Sequence, residues 1–285
     1  MAEQTLARPK QLIAKDFRLT YEDKTLIMGI LNITPDSFSD GGKYQSLDKA
    51  LAHAKLMIDQ GAHIIDIGGE STRPGSEFVS ADEELSRVIP VIERLANEIE
   101  APISIDTYKA EVADEALKAG ASIINDVWGA KADEGMAGVA ASHGVPIILM
   151  HNRHNTDYQN LIEDMVTDLS ESISLVKAAG VEDHQIIIDP GIGFAKNFEH
   201  NLSVMNQLEA FCSMGFPVLL ATSRKRFIGR VLDLPPEERA EGTGATVCLG
   251  IQKGCDIVRV HDVLQISRMA KMMDAMINKG GVYHR

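Results

Sequence analysis

The sequence predicts one (β/α)8 TIM barrel of class α/β with a short N-terminal hairpin, and three observations carry that expectation. First, "DQGAHIIDIGG", "KAGASIINDV", "SHGVPIILMH", "AAGVEDHQIIIDPG", "SMGFPVLLATS" and "QKGCDIVRVHD" each set a glycine just ahead of a β-branched apolar run. Gly61, Gly120, Gly144, Gly180, Gly215 and Gly254 fit as residues that end a helix before a strand begins. Second, "LIMGILN" and the glycine-less "APISIDTY" bring the apolar runs to eight, and text of helical period separates each from the next. Third, eight such βα units in about 260 residues match the size of one barrel.

The elements follow in order. Residues 1–24, with "KQLIAKDFRLTYEDKTL" around their end, read as a hairpin ahead of the first barrel strand, placed to cap the barrel floor. The first strand is apolar to Leu31 and turns polar at Asn32. The next segment repeats Leu47, Leu51, Ala54 and Ile58 at helical steps. A later helix opens with Ser80 and Glu83 as a capping box and continues through Leu85, Val88, Ile92, Leu95 and Ile99, with Pro90 expected to kink it. No linker interrupts the alternation, so residues 1–285 read as one domain.

Composition excludes several functions. No apolar run approaches the roughly 18 residues of a membrane span, and "MAEQTLARPK" lacks an apolar export segment, which points to the cytoplasm. Cys212, Cys248 and Cys255 show no C-x-x-C spacing and read as reduced thiols. A net charge of -13 disfavours nucleic acid, so an anionic ligand would need a local basic pocket.

Barrel chemistry gathers where strands end. Here they end on Asn32, "GGESTR", Asp106, Asn125 with Asp126, His151, Asp189, "TSRKR", and Arg259 with His261. Strand period two puts Ser104 with Asp106, Asn125 with Val127, and Arg259 with His261 on shared faces, while Val258 and Val260 point toward the helices. Any one such group could be a satisfied structural polar residue or a solvated loop charge. Their convergence is harder to explain as structure, because each buried polar group costs free energy unless something bonds it. Asp106, Asp189 and Asn125 suit a flat heterocycle with amino and ring N–H donors. Arg73, Lys225, Arg259 and His261 suit anions.

Other signatures are missing. No P-loop appears, and "GIGFAK" lacks the third glycine of a dinucleotide fingerprint. His151 and His154 have no acidic or cysteine partner nearby in sequence for zinc, and no G-x-S-x-G elbow is present.

Together "GILNITPDSFSDGG", "DIGGESTRPG", "SIDTYKAEV", "IINDVWG", "LMHN", "IDPGIGFAKN", "ATSRKRFIG" and "VRVHDV" resemble, in order, the motifs of the dihydropteroate synthases. The resemblance implies a (β/α)8 barrel that joins 6-hydroxymethyl-7,8-dihydropterin diphosphate to 4-aminobenzoate and releases pyrophosphate with Mg2+. It implies a pterin pocket of Asp106, Asn125, Val127, Met150, Asp189, Phe194 and Lys225, with Asp106, Lys225 and Asn32 in the chemistry. Asn32 would meet the metal, and Asn32, Arg73, Arg259 and His261 the diphosphate. Phe38, Thr72, Arg73, Pro74, Lys225 and Arg226 would form the 4-aminobenzoate pocket, partly on two mobile loops, one of them "TPDSFSDGG". Ala195 stands where the family often has glycine, Asn152 where many members have methionine, and Arg226 where serine is common near the aminobenzoate carboxylate. A homodimer is also implied. A methyltetrahydrofolate methyltransferase with a corrinoid partner would share the pterin pocket, but the intact "STRPG" and "SRKR" blocks argue against it. A noncatalytic pterin-binding protein is the other rival.

Overall fold

Each barrel strand sends alternate side chains inward, so period two divides the molecule's interior into two cores. The computed structural model of the chain describes residues 10–33, 42–71, 78–277 and 279, with only the backbone described over 42–45. The expected lid around Phe38 and the Thr72–Arg73–Pro74 segment lie outside the described residues.

The barrel strands are β3 (Leu26–Asn32), β4 (Ile64–Gly68), β5 (Ile103–Asp106), β6 (Ile123–Asp126), β7 (Ile147–Met150), β8 (Ile186–Asp189), β9 (Leu219–Leu220) and β10 (Ile257–Val260). They form one parallel sheet in the order β8-β7-β6-β5-β4-β3-β10-β9. An isolated parallel bridge, Ile188 to Val218, links its two edges, helped by the Ile188 N–H donating to Pro217 O at 3.0 Å. β9 is short because Pro217 has no N–H to give the ladder and a turn follows at Ser223–Arg224.

Helices α1 (Gly42–Asp59), α2 (Ala81–Ala96), α3 (Ala110–Ala119), α4 (Met136–His143), α5 (Leu161–Ala178), α6 (Phe198–Asn206), α7 (Glu209–Cys212), α8 (Arg226–Leu232), α9 (Ala240–Gln252) and α10 (Val263–Met276) follow or join the strands. All six glycines expected to stop helices adopt positive φ, between +63° and +126°. At Gly120 a Cβ would also sit 2.5 Å from the Ala96 methyl, so the site excludes a side chain twice over. The expected capping box of α2 is half present. Ser80 Oγ accepts from Glu83 N at 3.3 Å, but the Glu83 carboxylate turns to Arg87 instead. The helix continues on both sides of Pro90.

Outward residues such as Ile27, Leu31, Ile65, Ile67, Ile105, Leu149, Val258 and Val260 pack with the helices in the larger core. Inward residues of the lower barrel, Leu26, Met28, Ile64, Ile123, Ile148, Ile187, Leu219 and Ile257, form a second core. It is closed by the hairpin β1 (Gln11–Ala14) and β2 (Phe17–Thr20), with Leu12, Ala14 and Tyr21 buried against it. The hairpin therefore does cap the floor, and the lower barrel is dry.

The start of β3 is tied from two sides. Asp274 on α10 accepts from Thr25 N and Oγ1, both at 2.7 Å, and Ile27 N donates to His63 Nδ1 at 3.0 Å. That bond requires neutral imidazole. Burial, aided by Lys24 and opposed by Asp274, lowers the His63 pKa to about 4. Its stabilisation is therefore fully present above the unfolded value near 6.5 and is lost as pH falls toward 4. Lowering the pH from 7 to 5 should cost about 2 kcal/mol through this group. Urea titrations at the two pH values check this, and His63→Gln should flatten that part of the pH dependence.

Candidate active site

Above the apolar floor the inward positions turn polar. Asp66, Ser104, Asp106, Asn125 and Asp189 are all buried there. Arg259 reaches across from β10 to β4 and β5, donating from Nε to Asp66 Oδ2 at 2.6 Å and from Nη2 to Asp106 Oδ2 at 2.5 Å. Asn125 Nδ2 donates long bonds, 3.4 and 3.5 Å, to the Asp66 oxygens. Two acceptors in this layer, Asp106 Oδ1 and Ser104 Oγ, are buried without a hydrogen-bond partner. Orphan acceptors at a barrel mouth are what a donor-bearing ligand would satisfy.

Burial raises the Asp106 carboxyl to about 7, against the pull of Arg259 and with the push of Asp66. The same two carboxylates outweigh burial at Arg259 and hold its guanidinium more firmly protonated than usual. Space between Asn32 and Asp106 exists because residue 68 is glycine. A Cβ there would lie 3.6 Å from Asp106 Oδ2 and 3.9 Å from Asn32 Oδ1.

The opposite wall is built by β8 and the turn after β9. Asp189 Oδ1 accepts from Gly191 N at 2.7 Å, and burial raises its pKa against the attraction of Lys225. Lys225 donates to Ile192 O and stands 4.8 Å over the Phe194 ring. Burial lowers its pKa to about 8, with Asp189 opposing. Met150, the register partner of Asp189, and Val127, two residues after Asn125, are buried apolar residues. Ser223 Oγ accepts from His261 N at 3.1 Å and lies 2.9 Å from His261 Nδ1.

Other polar residues at the strand ends have partners or exposure of their own. Asp126 builds a turn, accepting from Trp128 N at 2.8 Å and Ala130 N at 2.7 Å. Arg224 is stapled to Asp262 through two bonds of 2.9 and 2.5 Å. Arg226 is exposed at the start of α8. His151 bonds Asp168 and Lys196, and no group of three or more metal-ligating side chains occurs among the described residues. Phe38, Thr72, Arg73 and Pro74 fall outside those residues. Asp66 lies mid-strand rather than at a strand end and was not among the expected site residues. Period two alone places Asp66 inward with Ile64 and Gly68.

The model of the family described as pterin binding enzyme matches residues 28–261. The chain belongs to the dihydropteroate synthase family of pterin-binding enzymes. A dihydropteroate synthase of Bacillus subtilis is 72% identical over 284 residues, covering 100% of both chains. A crystal structure of the Clostridium difficile dihydropteroate synthase in the presence of pteroic acid superposes with a TM-score of 0.89 at 52% identity, covering 90% of this chain and 98% of that one. The Xanthomonas albilineans enzyme with 4-aminobenzoic acid superposes at 0.90 with 39% identity, covering 94% and 98%.

In this dihydropteroate synthase family member, Ala195 adopts φ +46°, the left-handed conformation that glycine takes without cost. An Mg2+ ion, which the sequence resemblance implies, would find one protein oxygen of suitable kind here. Beside Asp106, the site offers the single amide oxygen of Asn32, and Mg2+ characteristically takes few protein oxygens and completes its shell with substrate phosphates and water.

Asp66 raises the Asp106 pKa by its charge. Asp66→Asn should therefore move the pH limb of ligand binding that reports Asp106 to lower pH, while the fold is retained. Binding titrations from pH 5 to 9 would show the shift, and an unmoved limb would exclude the coupling.

Proposed function

We propose that this protein condenses 6-hydroxymethyl-7,8-dihydropterin diphosphate with 4-aminobenzoate to 7,8-dihydropteroate, releasing pyrophosphate. The observation that carries the reading is the inward convergence of Asp106, Asn125, Asp189 and Lys225 at one barrel mouth. Asp189 and Asn125 take the donor edge of the pterin, and Lys225 takes an acceptor atom of the same ring. Met150, Val127 and Phe194 contribute apolar surface to its faces.

Asn32, Arg259 and His261 hold the diphosphate, with Arg73 assigned to the same group by sequence match alone. Mg2+ bound with the diphosphate at Asn32 would neutralise charge on the leaving group. As the C–O bond to diphosphate breaks, positive charge spreads from the methylene into the pterin ring, and Asp106 lies where a carboxylate would stabilise it. The amine of 4-aminobenzoate is neutral and nucleophilic at pH 7, so alignment over the methylene matters more than prior deprotonation. Phe38, Thr72, Arg73, Pro74, Lys225 and Arg226 align it, again by sequence match. The path is SN1-like. The protein works in the cytoplasm as a homodimer in this reading, consistent with three cysteines free of disulfides and no described helix long and apolar enough to cross a membrane.

Pyrophosphate should appear only when both substrates and Mg2+ are present, and a chelator should stop it. Release with the pterin substrate alone would contradict the condensation. Asp189→Asn should weaken pterin binding by two orders of magnitude or more, since an amide offers one acceptor and one donor to an edge with two donors. Calorimetry checks this, and binding within a few-fold of wild type would move the pocket elsewhere. Arg73→Ala should raise the KM for 4-aminobenzoate and leave affinity for a pterin without the diphosphate nearly intact.

A further inference from the structure

Behind the pocket wall lies a buried chain of ionisable groups that the proposed chemistry does not use. His151 has a side chain fully removed from solvent. Its Nε2 lies 2.9 Å from Asp168 Oδ2, and its Nδ1 lies 3.0 Å from Lys196 Nζ. Lys196 Nζ also donates to Gly191 O at 3.0 Å and Phe194 O at 2.9 Å. Arg153 closes the far end, giving Asp168 bonds of 2.5 Å from Nε and 3.1 Å from Nη2.

The proton arrangement follows from what each group can do. The Asp168 carboxylate can only accept, so it takes the Nε2 proton and leaves Nδ1 of the neutral ring to accept from Lys196, whose own pKa burial lowers to about 7. Lys196 meets three acceptors with three donors. The lowered pKa of His151, about 3, which burial causes first and Lys196 next, agrees with an imidazole kept neutral.

What Lys196 clasps is the loop that forms the pterin wall. Gly191 N is the donor to Asp189, Ile192 O receives Lys225, and the Phe194 ring lies under Lys225. The loop is also under strain at Ala195, whose φ is +46°. Such a conformation persists only where surroundings over-determine it, and here Tyr158 Oη donates to Ala195 O at 2.8 Å beside the Lys196 clasp.

We propose that Lys196 is a positioning residue of the pterin site. Held by His151, which Asp168 fixes in the accepting tautomer, it sets the shape of the Gly191–Phe194 loop and through it the places of Asp189, Lys225 and Phe194. This rests on the pterin reading of the site, and the test separates the two. Nitrogen-15 NMR of the ligand-free protein reads the tautomer without any substrate: an unprotonated Nδ1 and a protonated Nε2 on His151 are expected, and the reverse overturns the relay. Wild-type binding of a pterin, measured first, stands or falls with the function alone. Lys196→Met should then raise the KM for the pterin diphosphate at least tenfold while the KM for 4-aminobenzoate stays within twofold. Equal rises in both, or a pterin KM within twofold of wild type, would overturn the proposal. Should that variant fail to fold, a pair at His151 decides. His151→Asn keeps an acceptor at the Nδ1 position and should retain pterin affinity within about threefold, whereas His151→Leu should lose tenfold or more. Indistinguishable pterin affinities for the two variants would rule the clasp out.

Discussion

A guanidinium inside a barrel can exist only with its charge answered, and the upper half of this molecule is arranged around that condition. Arg259 lies between Asp66 and Asp106, two carboxylates from neighbouring strands that would repel each other without it. Removing Arg259 would leave two buried carboxylates without a counter-charge, a change that typically costs about 3–5 kcal/mol. Lys225 and Asp189 share the same field. When all three carboxylates are ionised, the two cations leave the cluster a residual negative charge, which suits the donor edge of a heterocycle and a cation developing beside Asp106. The site is thus electrostatically assembled before a ligand arrives.

That cluster is shielded from below by the apolar residues beneath it. The lower inward positions are aliphatic, and the β1–β2 hairpin seals them from below with Leu12, Ala14 and Tyr21. Water can therefore approach the charges only from the mouth, and interactions among them are stronger than they would be in solvent. The hairpin is remote from any substrate, yet the raised carboxyl of Asp106 and the lowered ammonium of Lys225 both depend on burial that it helps to maintain.

The fold was legible because its punctuation is covalent: a residue that must adopt positive φ at a helix end is usually glycine, and six of them marked the strands to come. The pocket residues on strands were legible by period two. Asp66 obeys the same rule but sits mid-strand, away from the strand ends where barrel chemistry gathers. Glu83 looked like a cap and became an ion-pair partner of Arg87, since a side chain chooses among neighbours that sequence does not show. Lys196 read as the tail of a failed dinucleotide fingerprint. Its partner His151, and the Asp168 that holds His151, lie 45 and 28 positions away in sequence, on other elements, so nothing local could have indicated them.

The same fingerprint-like stretch has its own physical logic. Residues 191, 193 and 195 adopt φ of +65°, +89° and +46°, so left-handed residues alternate with ordinary ones along "GIGFA". Such alternation turns successive peptide groups different ways. One carbonyl, that of Ile192, meets Lys225 on the pocket side, while those of Gly191 and Phe194 meet Lys196 behind. A side chain at 193 would press within 2.9 Å of the Lys225 stem, and one at 191 would run into the His151 carbonyl. The glycines are thus demanded by two lysines gripping one loop from both faces. A loop held that way resists displacement in either direction, which is what a wall must do when a flat ring is to be stacked against it.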